Sequence, residues 1–269
     1  MAGADALQVR VKGPETDVDQ RDAYFVGLLK LALQKSASSP DDAVVVIGHQ
    51  GNQKRAFRDL EQGVLDVVWG VMTTERYAKF ALAAIPLEKG LLGLRVLLIR
   101  RQDADRFASV RTLDDLRKLT GIQGADWMSL DVMRANQLPL VTGHYDDLFK
   151  ILQAGRVDYF PRGLNEAWAE IANQQFPDLV VEDKLLLRYP AASFFFTNKT
   201  NAALAARIES GLLKAINDGS FDDYFRNSPD NRAIFKGANL KGRRVIKLDN
   251  PFWPPDLKLD DPRFWFEMP

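Results

Sequence analysis

The sequence predicts an α/β fold of two lobes, with a discontinuous first lobe, a second lobe inserted into it and a two-stranded hinge. Three observations predict it. The pattern F-[R/K]-x-L-x-x-G-x-x-D is written twice, as FRDLEQGVLD at 57–66 and FKILQAGRVD at 149–158. Extended apolar runs alternate with helical periods along most of the chain. Two apolar segments, LRVLLIRR at 94–101 and SFFFTN at 193–198, stand where a chain would leave the first lobe and re-enter it. The expected boundaries are 5–100 for the first part of lobe 1, 101–192 for lobe 2, 193–230 for the return to lobe 1, and 231–269 for a C-terminal extension lying on the surface.

In chain order, LQVRVK (7–12) alternates like a short strand, and Tyr24, Leu28 and Leu31 give 17–35 a helical period. AVVVI (43–47) is continuously apolar, as a strand covered on both faces would be. The first repeated unit comes next. Phe57 and Leu60 share a helix face, Gly63 suits a left-handed cap, and VLDVVWG enters a sheet. The pattern then restarts with a strand at 94–101, a helix at TLDDLRKL (112–119), a short strand near TGIQG and a helix from Trp127 to Asn136. LPLV (138–141) is a strand, and the second repeated unit places Phe149 and Leu152 on one face before Gly155. A helix near NEAWAEIAN (165–173) precedes extended segments at 179–187 and 193–198. Leu204, Ile208, Leu212 and Ile216 recur every four residues in a helix that Gly219 ends, and SFDD (220–223) has a capping-box layout. The last stretch is rich in proline and aromatics without a helical period, and Phe252, Trp253, Phe264 and Trp265 are its expected anchors.

Bulk properties narrow the class. A chain of 269 residues with 46% hydrophobic and 27% charged content can bury a real core. Net charge is zero, which gives no electrostatic footprint for nucleic acid or an anionic membrane surface, and no apolar run is long enough to insert into a bilayer. There are no cysteines, so disulfides, thiolate metal sites and a cysteine nucleophile are excluded. The start MAGADALQVRVK has neither a basic n-region nor an apolar h-region; it fits a mature chain whose leader was removed, and on that premise the expected location is the periplasm.

Four blocks carry a resemblance: LEQGVLDVVWGVMTTERYAKF, TLDDLRKLTGIQG, LFKILQAGRVDYF and NAALAARIESGLLKAINDGSFDDYF. In this order and spacing they resemble the type II periplasmic solute-binding fold, specifically the polar amino-acid ABC transporter substrate-binding family. The resemblance spans residues 5–228, and the extension after 230 lies outside the family pattern, as in a divergent member. It implies a solute held in the cleft between lobes, hinge closure as the signal, no chemistry and no cofactor. The implied partners are a small carboxylate-bearing solute and a membrane permease or sensor. Two other readings are an enzyme on the same fold and a sensory or docking module whose tail fills the cleft. Against the enzyme, the sequence has no Ser/His/Asp cluster and no metal-ligand spacing.

The resemblance also suggests residues. Thr73 and Arg76 in TTER match the family's T-x-x-R, where hydroxyl and guanidinium hold the ligand's α-carboxylate; a guanidinium fork matches a carboxylate bidentately. Thr74 is an alternative hydroxyl, and Arg76 paired with a surface acid is the structural alternative. Trp69 ends a strand at an expected cleft wall, or is simply core. In TGIQGADWMSLD, glycines precede a helix with Asp126 as its N-cap, a place where backbone N–H groups bind anions, and Trp127 would face the cleft. The family places an acid four or five positions after the second repeated aspartate, to hold the ligand's ammonium. Here Arg162 and Gly163 stand there, which favours an anionic ligand gripped by Arg76 and Arg162. Glu166 would restore the ammonium partner, and a buried ion pair is the alternative role for Arg162. His49, His144, Glu15 and Arg21 are weaker candidates near the same loops.

Overall fold

In the computed structural model, residues 7–13, 22–37, 42–47, 53–125, 127–164, 166–173, 176–229, 231–232 and 239–267 are described. The chain opens with β1 (Gln8–Lys12), α1 (Ala23–Lys35), β2 (Ala43–Ile47), α2 (Gln53–Glu61), β3 (Val68–Val71), α3 (Thr74–Lys79) and β4 (Ala81–Ala83). Then come β5 (Leu94–Arg100), α4 (Ala104–Ala108), α5 (Leu113–Leu116), β6 (Gly121–Gly124), α6 (Met128–Ala135) and β7 (Leu140–Gly143). They are followed by α7 (Tyr145–Gln153), β8 (Phe160–Gly163), α8 (Ala167–Asn173), β9 (Leu179–Val181) and β10 (Leu185–Arg188). The chain closes with β11 (Ser193–Thr197), α9 (Ala202–Asn217), α10 (Ser220–Asn227) and β12 (Arg244–Lys247). No helix among the described residues is long and apolar enough to cross a membrane.

The chain divides into two compact units. Unit 1 takes residues 1–89, 192–228 and 254–265; unit 2 takes 90–191, 229–253 and 266–269. In unit 1, β1 and β2 pair in parallel, and β11 lies between β3 and β4, antiparallel to both. Phe194, Phe195 and Phe196 on β11 are fully buried, and Phe57 and Phe80 pack on the Phe196 ring. In unit 2, β6 and β7 pair in parallel, while β5 pairs antiparallel with β8, β9 and β10, and β12 adds in parallel to β10. Three apolar strands therefore meet the long apolar β5, whose first six residues are buried.

The doubled motif marks the same step in both units. Each runs strand, helix, parallel strand, helix, glycine and strand: β1-α1-β2-α2-β3 and β6-α6-β7-α7-β8. Gly63 and Gly155 hold φ of 73° and 71°, the left-handed region that glycine enters without a Cβ penalty. The motif's final aspartate then makes a reciprocal pair with the strand region that opens the repeated step, at β1 or just before β6. Asp66 N–H donates to the Arg10 carbonyl at 2.9 Å while its carboxylate accepts from the Arg10 N–H at 2.7 Å. Asp158 N–H donates to the Thr120 carbonyl at 2.7 Å, and its carboxylate accepts from the Thr120 N–H at 2.8 Å. An arginine completes each: Arg10 is bidentate on Asp66, and Arg106 Nη1 reaches Asp158 at 2.6 Å.

Several expectations need correction. β2 is an edge strand among the described residues, with none of its residues buried and Val46 46% exposed, because β1 is its one described partner. The buried stripe of α1 is Leu28, Leu29, Ala32 and Leu33, so Tyr24 and Leu31 flank it rather than define it. Residues 94–101 and 193–198 supply β5 and β11, each an inner strand of its own unit's sheet. Ser220 is the first helical residue of α10, not its cap. Gly219 holds the N-cap position, and Ser220 Oγ bonds Asp218 at 2.6 Å. The strand expected at 138–141 runs from Leu140 to Gly143. The extension is not merely laid on a surface by aromatics, since β12 joins a sheet and Leu240, Ile246, Leu248 and Phe266 are among its buried residues, while Phe252 is exposed.

Asp158→Ala orphans the part-buried Thr120 N–H and should cost about 1–3 kcal/mol in urea unfolding, whereas Asp66→Ala should cost less, because water reaches the exposed Arg10 N–H. Gly63→Ala meets no neighbouring atom but is forced into the left-handed region, and should cost about 1–2 kcal/mol. An unchanged midpoint for Asp158→Ala would show that the reciprocal pair is incidental.

Candidate functional site

Thr73 and Arg76 are brought together at the start of α3. Thr73 Oγ1 caps the helix by accepting from the Arg76 N–H at 3.1 Å. The Arg76 guanidinium lies over the Phe57 ring at 4.2 Å and donates to the Val71 carbonyl at 2.5 Å and to Gln53 Oε1 at 2.9 Å. These contacts come from β3 and the first residue of α2, so two elements fix the head group. No carboxylate among the described residues lies within ion-pair distance of Arg76. Of the five N–H donors of a guanidinium, these two bonds use two. Burial lowers the Arg76 guanidinium from its usual range, with Glu75 opposing. Such a group gains from an added anion.

Arg76 and Thr73 line a groove of about 360 Å³ within unit 1, between α2 and α3. Phe57 and Phe80 supply its apolar wall, and Lys54, Arg58 and Lys79 add positive charge. Lys79 pairs with Glu61 at 2.8 Å, whereas no such pair holds Lys54 or Arg58 among the described residues. The groove can therefore attract an anionic group and pack an apolar one beside it.

Trp69 is core rather than an open wall. It is 3% exposed, stacks on Phe25 at 5.6 Å, and donates its indole N–H to Asp22 at 2.9 Å. Asp126, Glu15, Arg21 and His49 lie outside the described residues. The N-cap position of α6 belongs to Trp127, which makes no side-chain cap. Gly124 serves packing: a Cβ there would stand 2.4 Å from the Trp127 ring. His144 is the N-cap residue of α7 and makes no side-chain cap.

Trp127 and Arg162 are also brought together, within unit 2. The Arg162 guanidinium carbon lies 4.6 Å from the Trp127 ring centroid, 5.0 Å from Phe160 and 5.8 Å from Tyr145. Arg162 is 5% exposed and donates to Glu170 through Nε at 2.7 Å and Nη2 at 2.5 Å. Glu166 stands 3.1 Å from the same Nη2, and also takes the Gly163 N–H at 2.9 Å and Arg95 at 3.4 Å. The buried ion pair is thus the role the geometry gives Arg162, and an anion gripped by it would have to compete with two carboxylates. Burial alone would raise the Glu166 carboxyl, but Arg95, Arg162 and the Gly163 N–H outweigh it and hold the group below the usual carboxylate range.

Tyr145, Phe160 and Glu170 were not anticipated, nor were Gln53, Lys54, Phe57 and Arg58. One signal was available: Glu166 and Glu170 come four and eight positions after Arg162, a strand-to-helix return that brings both acids to one cation.

No family model matches the chain, and no curated protein matches it in sequence. Solved structures do match in fold. The probable amino-acid ABC transporter extracellular-binding protein ytmK from Bacillus subtilis aligns with a TM-score of 0.62 at 15% identity, over 84% of this chain and 99% of that one. YckB, also from Bacillus subtilis, aligns at 0.58 and 17% identity, over 90% and 96%. A histidine kinase sensor domain with similarity to periplasmic binding proteins aligns at 0.53 and 17%, over 87% and 97%. The chain has the α/β fold of type II periplasmic binding proteins.

The Tyr145 phenol is pushed up to about 12, by burial first and then by its 2.8 Å hydrogen bond to the Glu170 carboxylate. Its folded value lies above its unfolded one, so its stabilising effect is complete below pH about 10 and is lost as pH rises towards 12. Phenolate absorbance of the native protein, minus that of Tyr145→Phe, should show this late titration, and Glu170→Gln should bring it earlier. An ordinary midpoint in the difference curve would contradict the bond.

Proposed function

We propose that the chain binds a small carboxylate-bearing solute, amino acids foremost, without altering it. Arg76 is the residue that meets the carboxylate, with the Thr73 hydroxyl beside it. The supporting observation is a half-buried guanidinium with open donors and no described acidic partner, held in place by Phe57, Val71 and Gln53. The fold is shared with an extracellular-binding protein of an amino-acid transporter and with a kinase sensor domain. On this reading a bound chain is recognised by a membrane permease or a sensor, in the periplasm or outside the cell. The groove chemistry favours a carboxylate with an apolar side over a sugar or a polyamine, since its four cations, Lys54, Arg58, Arg76 and Lys79, outnumber its two carboxylates, Glu61 and Glu75. The involvement of Arg162 in ion pairs weakens the preference for a dianion, so monocarboxylic amino acids come first.

The test is thermal stability against amino acids, dicarboxylates, keto acids, polyamines and sugars. A ligand at one hundred times its dissociation constant adds about 2.7 kcal/mol. The expected result is a shift with amino acids that Arg76→Ala abolishes and Arg76→Lys weakens by about tenfold or more, because a point charge replaces a fork. Shifts confined to polyamines or sugars, or unchanged in Arg76→Ala, would refute the assignment.

A further inference from the structure

Three aromatic rings converge on one guanidinium in unit 2. Trp127, Phe160 and Tyr145 face Arg162 at 4.6, 5.0 and 5.8 Å, and Trp127 and Phe160 stack with an interplanar angle of 17°. Energetically significant contacts of this kind occur about once per 70–80 residues, so three on a single head group form a built enclosure. Two carboxylates complete it. Glu170 takes two bonds from Arg162 and one from Tyr145 Oη, and Glu166 forms an ion pair with the guanidinium at 3.1 Å. Aromatic faces with carboxylates at the rim are the chemistry that recognises alkylguanidinium and alkylammonium groups. The Tyr145 and Glu166 side chains reach solvent, at 41% and 40% exposure, so the enclosure has an accessible side.

We propose that this enclosure is a cation-binding site filled by the chain's own side chain. Arg162 stands where the head group of a basic ligand would, and so excludes soluble guanidinium and ammonium groups from unit 2. Charge supports this. Arg95 and Arg162 balance Glu166 and Glu170, and loss of Arg162 leaves two carboxylates beside one cation. Geometry supports it too. Arg162 is anchored through β8, where it pairs with Val96 of β5, so its head group is held in the enclosure by a sheet. Truncation at Cβ would leave a space shaped for three methylenes and a guanidinium.

The experiment uses Arg162→Ala and propylguanidinium, which restores the missing atoms. Wild-type protein should show no change in melting temperature with millimolar propylguanidinium. Arg162→Ala should melt lower and regain stability saturably with it, less with methylguanidinium, and not with propylurea, the neutral isostere. Adding Glu170→Gln to Arg162→Ala should weaken the response by about tenfold or more. A folded Arg162→Ala that ignores propylguanidinium, or answers equally to propylurea, overturns the proposal. If that variant does not fold, Arg162→Lys and Arg162→Met decide the point. A cation site predicts a much smaller fall in melting temperature for lysine than for methionine, and equal falls overturn it. The probe is not the solute discussed above, so this result stands or fails independently of the Arg76 assignment.

Discussion

The reciprocal pairing of one aspartate with one backbone position, made once in each unit, is the constraint from which both arginine environments hang. Asp66 trades N–H for carbonyl with Arg10 and receives the Arg10 N–H on its carboxylate; Asp158 does the same with Thr120. A carboxylate acceptor is charged, which makes each of these bonds stronger than a neutral one. The pair ties the segment after the left-handed glycine to the strand region that opens the repeated step. The elements beyond each aspartate are thereby positioned: β3 and α3 with Thr73 and Arg76, and β8 with Phe160 and Arg162. The motif's glycine turns the chain, and its aspartate sets where the chain goes next.

The two arginines illustrate how the same side chain acquires different work from its neighbours. Each guanidinium lies on an aromatic face, at 4.2 Å from Phe57 and at 4.6 Å from Trp127. Arg162 also meets two carboxylates, which neutralise it and lock it in place. Arg76 meets a carbonyl and an amide oxygen, which orient the cation without cancelling its charge. A dipolar partner positions; an ionic partner satisfies. The distinction separates a cation whose charge is left uncancelled from one that is neutralised in the interior.

Much of this was legible in the sequence. Amphipathic periods and glycine stops located α2, α7 and α9, and β-branched or apolar runs located β5 and β11, because those signals are local. Thr73 and Arg76 were singled out through a resemblance to T-x-x-R, and they lie together at the start of α3. The covering of β2 was not, since a strand's neighbours depend on pairings made far along the chain. The same holds for the sheet places of residues 94–101 and 193–198, whose apolar character does not say which strands flank them. Arg162 was seen as a departure from a family pattern, yet its partners Trp127, Tyr145 and Glu170 come from three different elements. Gly124 looked like part of an anion loop because sequence does not reveal that an indole ring lies against it.

The placement of β11 carries a consequence for biosynthesis. Its strand partners β3 and β4 are complete by Ala83, yet the strand that joins them begins at Ser193. At roughly 5–20 residues per second, a ribosome leaves those edges unpaired for on the order of ten seconds. During that interval the rings of Phe57 and Phe80 lack the Phe196 surface they later cover. Those strand edges and ring faces stay open to solvent until β11 arrives with its three consecutive phenylalanines.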